Sequence, residues 1–176
     1  MHMTDFRLRD AAVGDAAALS TLGRESFVAA FGHLYRPGDL ARFLNEVHDP
    51  AAIAAQIADP AVLHKLAVDD ADRLLGYCKL DARSSYGEYS DARRPLGLSQ
   101  LYTDPAMTGR GLGGALMEWA LATARVRGCD AIQLSVWSEN FGAQRFYRRH
   151  GFAKIADIDF WVGSHRDDEF LYELRL

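Results

Sequence analysis

The sequence has no long apolar run and very little cysteine. No segment of its 176 residues approaches the roughly 20 apolar positions of a membrane-spanning helix, and the N-terminus has no signal-peptide core. Cys78 and Cys129 are its two cysteines and do not form a CxxC pair, and the six histidines lack HxxxH or HExxH spacing. We therefore expect a cytoplasmic protein with free thiols, no bound metal and no association with a membrane.

An excess of positive charge is also missing. Lysines and arginines number 20 against 24 aspartates and glutamates, which gives a formal net charge of -4. Nucleic-acid-binding proteins usually carry a basic face, so we expect no nucleic-acid partner. Hydrophobic residues make up 49% of the chain, and its length is sufficient for one core. We predict a single domain over residues 1–176, present as a monomer or a homodimer.

Apolar residues recur with helical or strand periodicity along most of the chain. A short strand is predicted around Phe6 and Leu8, where apolar and basic residues alternate. Further strands are predicted at residues 62–69, 73–81, 98–103, 132–136, 153–162 and 169–175. Helices are predicted at residues 15–31, 40–47, 51–58, 112–126 and 140–150. Residues 82–96 have no period and predict a loop long enough to have a function.

Four glycines fall within six positions at the start of the helix predicted from residue 112. The segment is Thr108, Gly109, Arg110, Gly111, Leu112, Gly113 and Gly114. Without Cβ atoms, a glycine backbone can adopt positive φ and approach an anion closely. The free N–H groups of the first helical turn, together with the helix dipole, then point at that anion. A connecting turn would need only one glycine, so the composition predicts a phosphate-binding loop.

A dinucleotide-binding fold is the alternative that the glycine spacing raises. Gly109, Gly111 and Gly114 satisfy the pattern GxGxxG, and Asp130 stands near the distance expected for a ribose-binding acid. However, such a loop normally opens a domain of several βα units, and only 62 residues (176 minus 114) follow Gly114. Asp130 also precedes its predicted strand instead of ending it. Both observations disfavour NAD(P) binding.

A second motif follows the loop, and the two together resemble the GNAT acetyltransferases. The loop is similar to the family pattern [QR]xxGx[GA], with Thr108 where the family usually has Gln or Arg. Residues 140–152 match the family pattern NxxAxxFYxxxGF at all six fixed positions. Asn140 and Tyr147 are seven residues apart, so both lie on one face of a helix and can contact one ligand.

The resemblance implies an α/β (α+β) fold and a specific co-substrate. The GNAT fold has a central, mostly antiparallel mixed sheet with one splayed parallel strand pair, here residues 98–103 and 132–136, and helices on both faces. The co-substrate would be acetyl-CoA, with its pantetheine arm between the splayed strands. The main chain of Leu101 and Thr103, with Tyr102 between them, would hold that arm.

The resemblance also assigns the remaining cofactor-binding and catalytic residues. The segment from Thr108 to Gly114 would bind the pyrophosphate, and Asn140 would contact the cofactor. Tyr147 would be the general acid that protonates the departing thiolate, because a phenol of pKa about 10 matches an alkyl thiol.

The general base is not evident from the sequence. Presenting a free alkylamine at neutral pH costs about 4.6 kcal/mol, because the pKa of the ammonium lies about 3.4 units above 7. Some GNAT enzymes place a glutamate early in the strand before the glycine loop, but Gly97 occupies that position here. A carboxylate acting through water is the remaining possibility, and the candidates are Glu88, Asp157 and Asp159.

The acceptor is expected to be a small primary amine. Phe31, His33 and Tyr35 follow or end the first long helix, which borders the acceptor site in this fold, and with Glu88 and Asp159 they form our predicted substrate-binding set. The phrases FGHLYRPGDLARFL, GYCKL and SQLY resemble the bacterial polyamine-acetylating branch. A non-catalytic acyl-CoA-binding regulator, and an enzyme acting on a protein or amino-acid amine, remain alternatives.

Overall fold

The structure is a computed structural model that describes residues 5–176. Its strands are β1 Arg7–Asp10, β2 Val62–Val68, β3 Leu74–Asp81, β4 Pro95–Thr103, β5 Ala131–Trp137, β6 Ala153–Val162 and β7 His165–Arg175. Its helices are α1 Ala16–Phe31, α2 Pro37–Val47, α3 Pro50–Ala58, α4 Leu112–Val126 and α5 Phe141–Arg149. No helix within these residues is both long enough and apolar enough to cross a membrane.

The seven strands form one mixed sheet in the order β1-β2-β3-β4-β5-β7-β6. All neighbouring pairs are antiparallel except β4 and β5, which run parallel. Parallel neighbours need a long crossover connection, and α4 provides it between β4 and β5. This arrangement confirms the predicted fold class.

Helices cover both faces of the sheet, and each face has its own group of buried apolar residues. On one face, Leu116 and Met117 of α4 are fully buried against Cys78 and Leu80 of β3. On the other face, α1 and α3 pack on the sheet through residues such as Leu19. The apolar stripe of each helix therefore determines which side of the sheet it covers.

The parallel strands β4 and β5 diverge along their length. Their pairing covers three residue pairs and ends at Gly97 and Gln133. Beyond that point β4 pairs only with β3, as far as Thr103, while β5 pairs only with β7, as far as Trp137. The register between β3 and β4 shifts so that Ser99 is an extra residue, and such a bulge bends and twists its strand. The predicted splay is thus present.

Several element boundaries differ from those the sequence predicts. Helix α2 begins earlier, at Pro37, because proline fits the first turn of a helix, where its missing N–H has no partner to lose. Strand β7 begins at His165 instead of residue 169, because its first, polar residues pair with β6 in a hairpin. Helix α1 begins at Ala16, one residue after the predicted start, and the carboxylate of the preceding Asp15 binds the Arg9 guanidinium at 2.8 Å without capping the helix.

Candidate active site

A cleft of about 1000 Å³ opens where β4 and β5 diverge. Residues from both faces of the sheet line it, because the gap between the strands connects the two faces. Asn140 and Tyr147 line it from the α5 side, and Phe27 and Phe31 line it from the α1 side. A cleft of this size can enclose most of a ligand as large as a drug molecule.

The predicted pantetheine-binding residues of β4 lie along this cleft. Leu101, Tyr102 and Thr103 all line it. Since β4 pairs only with β3 here, the backbone N–H and C=O groups that face β5 have no strand partner. An unpaired strand edge can form main-chain hydrogen bonds with an extended ligand.

The glycine turn before α4 forms an open backbone cradle. Gly109 and Gly111 have φ values of +80° and +82°, a backbone conformation that glycine adopts readily and other residues rarely do. A Cβ at either position would meet no protein atom within 4 Å, so the space beside the turn is free. The first intrahelical bond of α4 runs from Ala115 N–H to Gly111 C=O, which leaves the preceding N–H groups available. These features fit a diphosphate.

Of the loop residues 108–114, Thr108 alone lines the cleft itself. The Leu112 side chain is buried in the core, and only its backbone is available to a ligand. Gly113 packs against the ring of Phe146, with its Cβ position 3.4 Å from the nearest ring atom, and Gly114 faces open space. The Arg110 guanidinium is exposed and lies 3.7 Å from the Asp5 carboxylate.

Two residues of the second motif meet at the cleft, as their helical spacing predicts. The Asn140 carboxamide accepts a hydrogen bond of 3.1 Å from the Ala143 N–H and so caps α5, while the residue also lines the cleft. Tyr147 is half-buried between the rings of Phe146 and Phe152, with centroids 5.4 and 5.8 Å away. Burial raises the pKa of its phenol well above 10, so the hydroxyl stays protonated and can donate.

The side of the cleft formed by α1, α2 and the sheet edge is aromatic. Ring centroids lie 4.6 Å apart for Phe27 and Phe43, 5.8 Å for Phe31 and Trp137, and 5.7 Å for Phe43 and Phe160. All five residues line the cleft, and we call them the aromatic wall. Phe31, one of the predicted substrate-binding residues, belongs to this wall.

His33 and Tyr35 lie near this wall without lining the cleft. His33 is exposed on a short turn after α1. Tyr35 stacks on Phe27 with centroids 5.8 Å apart, and its hydroxyl donates a hydrogen bond to the buried Asp167 carboxylate. Tyr35 thereby ties the turn to β7 and supports the wall from behind.

Glu169 of β7 is a cleft residue that the sequence prediction missed. It pairs directly opposite Trp137 in the sheet, and its side chain lines the cleft. Burial raises the pKa of its carboxyl to about 7, a hydrogen bond with Ser135 opposes that rise, and the Asp167 charge adds to it. The sequence signal was weak, because Glu169 follows two other acids and resembles the polar start of a surface strand.

The three carboxylates predicted as bases do not line this cleft. Glu88 is exposed in the short turn Gly87–Tyr89. Asp157 and Asp159 line a second depression of about 570 Å³, where Lys154 and Arg166 bind them at 2.8 Å. We call this depression the acidic groove; Asp168 and Glu169 also line it. Glu169 is thus shared between the groove and the cleft.

The structure has the features that the two motifs led us to expect of an acyltransferase. They are a mixed sheet with diverging strands, a glycine turn before α4 and a cleft lined from both faces of the sheet. The sequence model of the Acetyltransferase (GNAT) family matches residues 25–152, and the chain therefore belongs to this family. Family membership confirms the predicted enzyme class, an acetyl-CoA-dependent acyltransferase.

Individual relatives agree with this assignment. A protein described as an uncharacterized N-acetyltransferase in the pepI 3' region of Lactobacillus delbrueckii subsp. lactis is 29% identical over 175 residues, or 99% of each chain. The PaiA N-acetyltransferase of Thermoplasma acidophilum, solved with coenzyme A, superposes with a TM-score of 0.78 at 19% identity, over 97% of this chain and 99% of that one. Arabidopsis thaliana NAA60, solved with acetyl-CoA, gives 0.77 at 15% identity, over 97% and 98%. Identities this low show a shared fold.

Proposed function

We propose that this protein transfers an acetyl group from acetyl-CoA to the primary amine of a small acceptor, directly and within a ternary complex. The observation that carries the proposal is the cleft between β4 and β5, which is lined from both faces of the sheet. A donor held on the α5 side and an acceptor held on the aromatic side can meet there without a covalent enzyme intermediate. Two structural relatives described as complexes with coenzyme A or acetyl-CoA support the choice of donor.

The donor side supplies binding groups suited to the parts of acetyl-CoA. The free main-chain edge of β4 at Leu101 to Thr103 matches the amides of the pantetheine arm. The positive-φ turn at Gly109 and Gly111, followed by the free N–H groups of α4, matches the diphosphate. Asn140 lines the cleft at the N-terminus of α5.

We assign Tyr147 the role of the acid that assists the departing thiolate. Burial raises the pKa of its hydroxyl above the value of about 10 on which the match with an alkyl thiol rested, so the phenol stays protonated and acts first as a hydrogen-bond donor to the thiolate; the residue lines the cleft from the donor side. A buried phenol donates a hydrogen bond to a developing anion more strongly than water does, because the surrounding dielectric is low.

The acceptor side offers recognition for an ammonium group. Aromatic faces attract cations, and the aromatic wall brings five rings to the cleft beside the Glu169 carboxylate. Glu169 is a lining residue of both the cleft and the acidic groove, so an acceptor with a second ammonium can extend from the cleft toward the groove. This arrangement supports a polyamine, with Asp157 and Asp159 exchanging their present partners Lys154 and Arg166 for the substrate.

The test is a rate series with acetyl-CoA and spermine, spermidine, putrescine and butylamine, at low and high salt. We expect turnover of the series, with kcat/KM rising from butylamine to the polyamines. Added salt should weaken the polyamines more, because exposed charge pairs are screened beyond about 8 Å at physiological ionic strength. Asp159→Asn should reduce kcat/KM for spermidine and leave butylamine within twofold.

Three outcomes would contradict parts of the proposal. Equal kcat/KM for all four amines would refute the polyamine assignment and leave acetyl transfer intact. Acetylation confined to an amino acid or to the N-terminus of a peptide would refute the small-amine acceptor. Tight CoA binding without turnover of any amine, amino acid or peptide would favour a non-catalytic acyl-CoA-binding regulator.

A further inference from the structure

We infer that Glu169 is the general base that removes the proton from the acceptor ammonium. This inference rests on the proposed function, because it concerns the amine side of the same reaction. A base is required because an alkylammonium of pKa about 10.4 is almost fully protonated at pH 7, and a protonated nitrogen has no lone pair for attack. Gly97, the position where some relatives carry a glutamate, has no side chain to supply one.

The sheet register places Glu169 beside the acceptor. Its direct cross-strand partner is Trp137, which belongs to the aromatic wall, so the two side chains emerge on the same face of the sheet. Ser135 lies two residues before Trp137 on that face, and its hydroxyl is near enough to the Glu169 carboxylate to lower the pKa of that group. An ammonium held against the wall is therefore within reach of this carboxylate.

Glu169 also has a route by which to release the proton. Its side chain lies in the cleft on the same face of the sheet as Trp137, and this cleft opens to solvent. A base that faced only a closed cavity would keep its proton and block the next turnover. The open cleft lets the proton pass from the amine, through the carboxyl group, into bulk water.

Asp81 is the other carboxylate that lines the cleft, and its position is less suitable. It pairs with Gly97, the last β4 residue that still contacts β5, so it lies at the closed end of the splay. Its charge acts on Lys79 and His64, whereas the Glu169 charge acts on Tyr102 and Tyr147. Glu169 is thus the carboxylate electrostatically coupled to the proposed acid.

Charged and titratable groups surround Glu169 on several elements. They are Arg166, Asp167 and Asp168 of β7, Asp157 and Asp159 of β6, Tyr89 of the loop before β4, Tyr102 of β4 and Tyr147 of α5. Burial is the main cause that raises the pKa of Glu169 to about 7, and among these groups the Asp167 charge adds to the rise. A base with a pKa near the working pH combines an ionised form with useful proton affinity.

The proton balance of the step is complete without a further reactant. The ammonium loses one proton to the Glu169 carboxylate, which passes it to water in the open cleft. The neutral nitrogen then bonds the thioester carbonyl carbon, and the C–S bond breaks as the thiolate takes the Tyr147 proton. The nitrogen loses its second proton on forming the amide, and that proton restores the Tyr147 hydroxyl through solvent.

The test compares the pH dependence of kcat/KM in the native protein and in Glu169→Gln, with butylamine or spermidine as acceptor. With a base, kcat/KM should rise to about pH 7 and then stay level up to the pKa of the amine. Without the base, the reaction must use preformed free amine, so kcat/KM should rise tenfold per pH unit up to about pH 10. The variant should therefore be slower by about 10²-fold at pH 7, with the deficit shrinking as the pH rises.

Three controls separate this role from a structural one. The Kd of CoA should stay within twofold of the native value in Glu169→Gln. Glu169→Asp should restore part of the pH range over which kcat/KM is level. Glu118→Gln, on the exposed face of α4, should show the native dependence of kcat/KM on pH. If Glu169→Gln does not fold, a native kcat/KM that rises without a plateau to pH 10 overturns the inference by itself.

The outcomes distinguish this inference from the proposed function. Turnover by Glu169→Gln with the native pH profile, or a loss of the plateau in Asp81→Asn instead, would overturn the role of Glu169 and leave acetyl transfer intact. No turnover of any panel amine by the native protein would overturn the proposed function, and the inference with it.

Discussion

A methyl group at Gly111 tests whether the turn before α4 binds the CoA diphosphate. Gly111 has φ of +82°, and an L-residue there costs about 1–2 kcal/mol of folding stability. For a chain of this length that cost lowers the melting temperature by about 2–8 °C. No protein atom lies within 4 Å of the added Cβ, so Gly111→Ala introduces no clash within the protein itself. A loss of CoA affinity would then come from the ligand side of the turn.

Gly128 provides the matched control at the other end of the same helix. It has φ of +70°, and the atom nearest to its Cβ position is a terminal nitrogen of Arg94 at 3.5 Å, an ordinary contact. The two glycines lie about 25 Å apart along α4, so Gly128→Ala carries the same backbone strain far from the cradle. Both variants should lose similar stability in thermal unfolding.

Calorimetric titration with CoA then separates strain from ligand contact. Gly111→Ala should weaken binding at least about tenfold, which corresponds to about 1.4 kcal/mol, and Gly128→Ala should leave the Kd unchanged. A native Kd for CoA in both folded variants would refute the diphosphate assignment. The same loss of affinity in both variants would attribute the effect to backbone strain in α4.

Three further predictions concern titratable side chains, namely Tyr147, Glu169 and the histidines His48 and His64. Tyr147→Phe should lower kcat about 10²-fold with little change in CoA affinity, and a kcat within twofold when chemistry limits the rate would contradict its role as acid. Without ligand, Glu169→Gln should be more stable than the native protein by up to about 3 kcal/mol at pH 8, because the carboxyl has a pKa of about 7 in the folded state and 4.5 in the unfolded state, so ionising it destabilises the fold. The difference in the free energy of unfolding should vanish near pH 4.5. A difference in urea unfolding that does not change with pH would contradict the raised pKa. In that variant, the free energy of unfolding should also fall as the pH drops from about 6.5 to about 4. Burial lowers the pKa of His48 and His64 to about 4, so over this range the two histidines bind protons in the unfolded state and stay neutral in the folded state. Urea midpoints that stay level over this range would contradict the lowered pKa values.

The family, the donor and most of the elements could be predicted because their signals are local. The glycine turn at Gly109 and Gly111 adopts positive φ, and glycine is the residue that this backbone requires. Asn140 and Tyr147 share a helix face through their spacing alone, and both line the cleft. Amphipathic periodicity also identified the helices that cover the two faces of the sheet.

The general base was missed because its identity depends on contacts between distant parts of the chain. Strand β7 enters the sheet between β5 and β6, and this order sets Glu169 opposite Trp137, 32 residues earlier in the sequence (169 minus 137). Nothing in the local sequence distinguishes Glu169, which the prediction missed, from Asp157 and Asp159, which it named as candidate bases. The tertiary structure buries Glu169 in the cleft wall, whereas Asp157 and Asp159 each bind a basic side chain at 2.8 Å.

The sequence by itself therefore determined the backbone-built half of the site, the half that we propose binds acetyl-CoA. Glycine conformation, helix capping and helical spacing are properties of a few consecutive residues, and they act before any tertiary contact forms. Only the tertiary structure decided the acceptor half, where α1, α2, β5 and β7 bring together the aromatic wall and one carboxylate. The pKa of that carboxylate follows from burial and from neighbouring charge, and both exist only after the strands have paired.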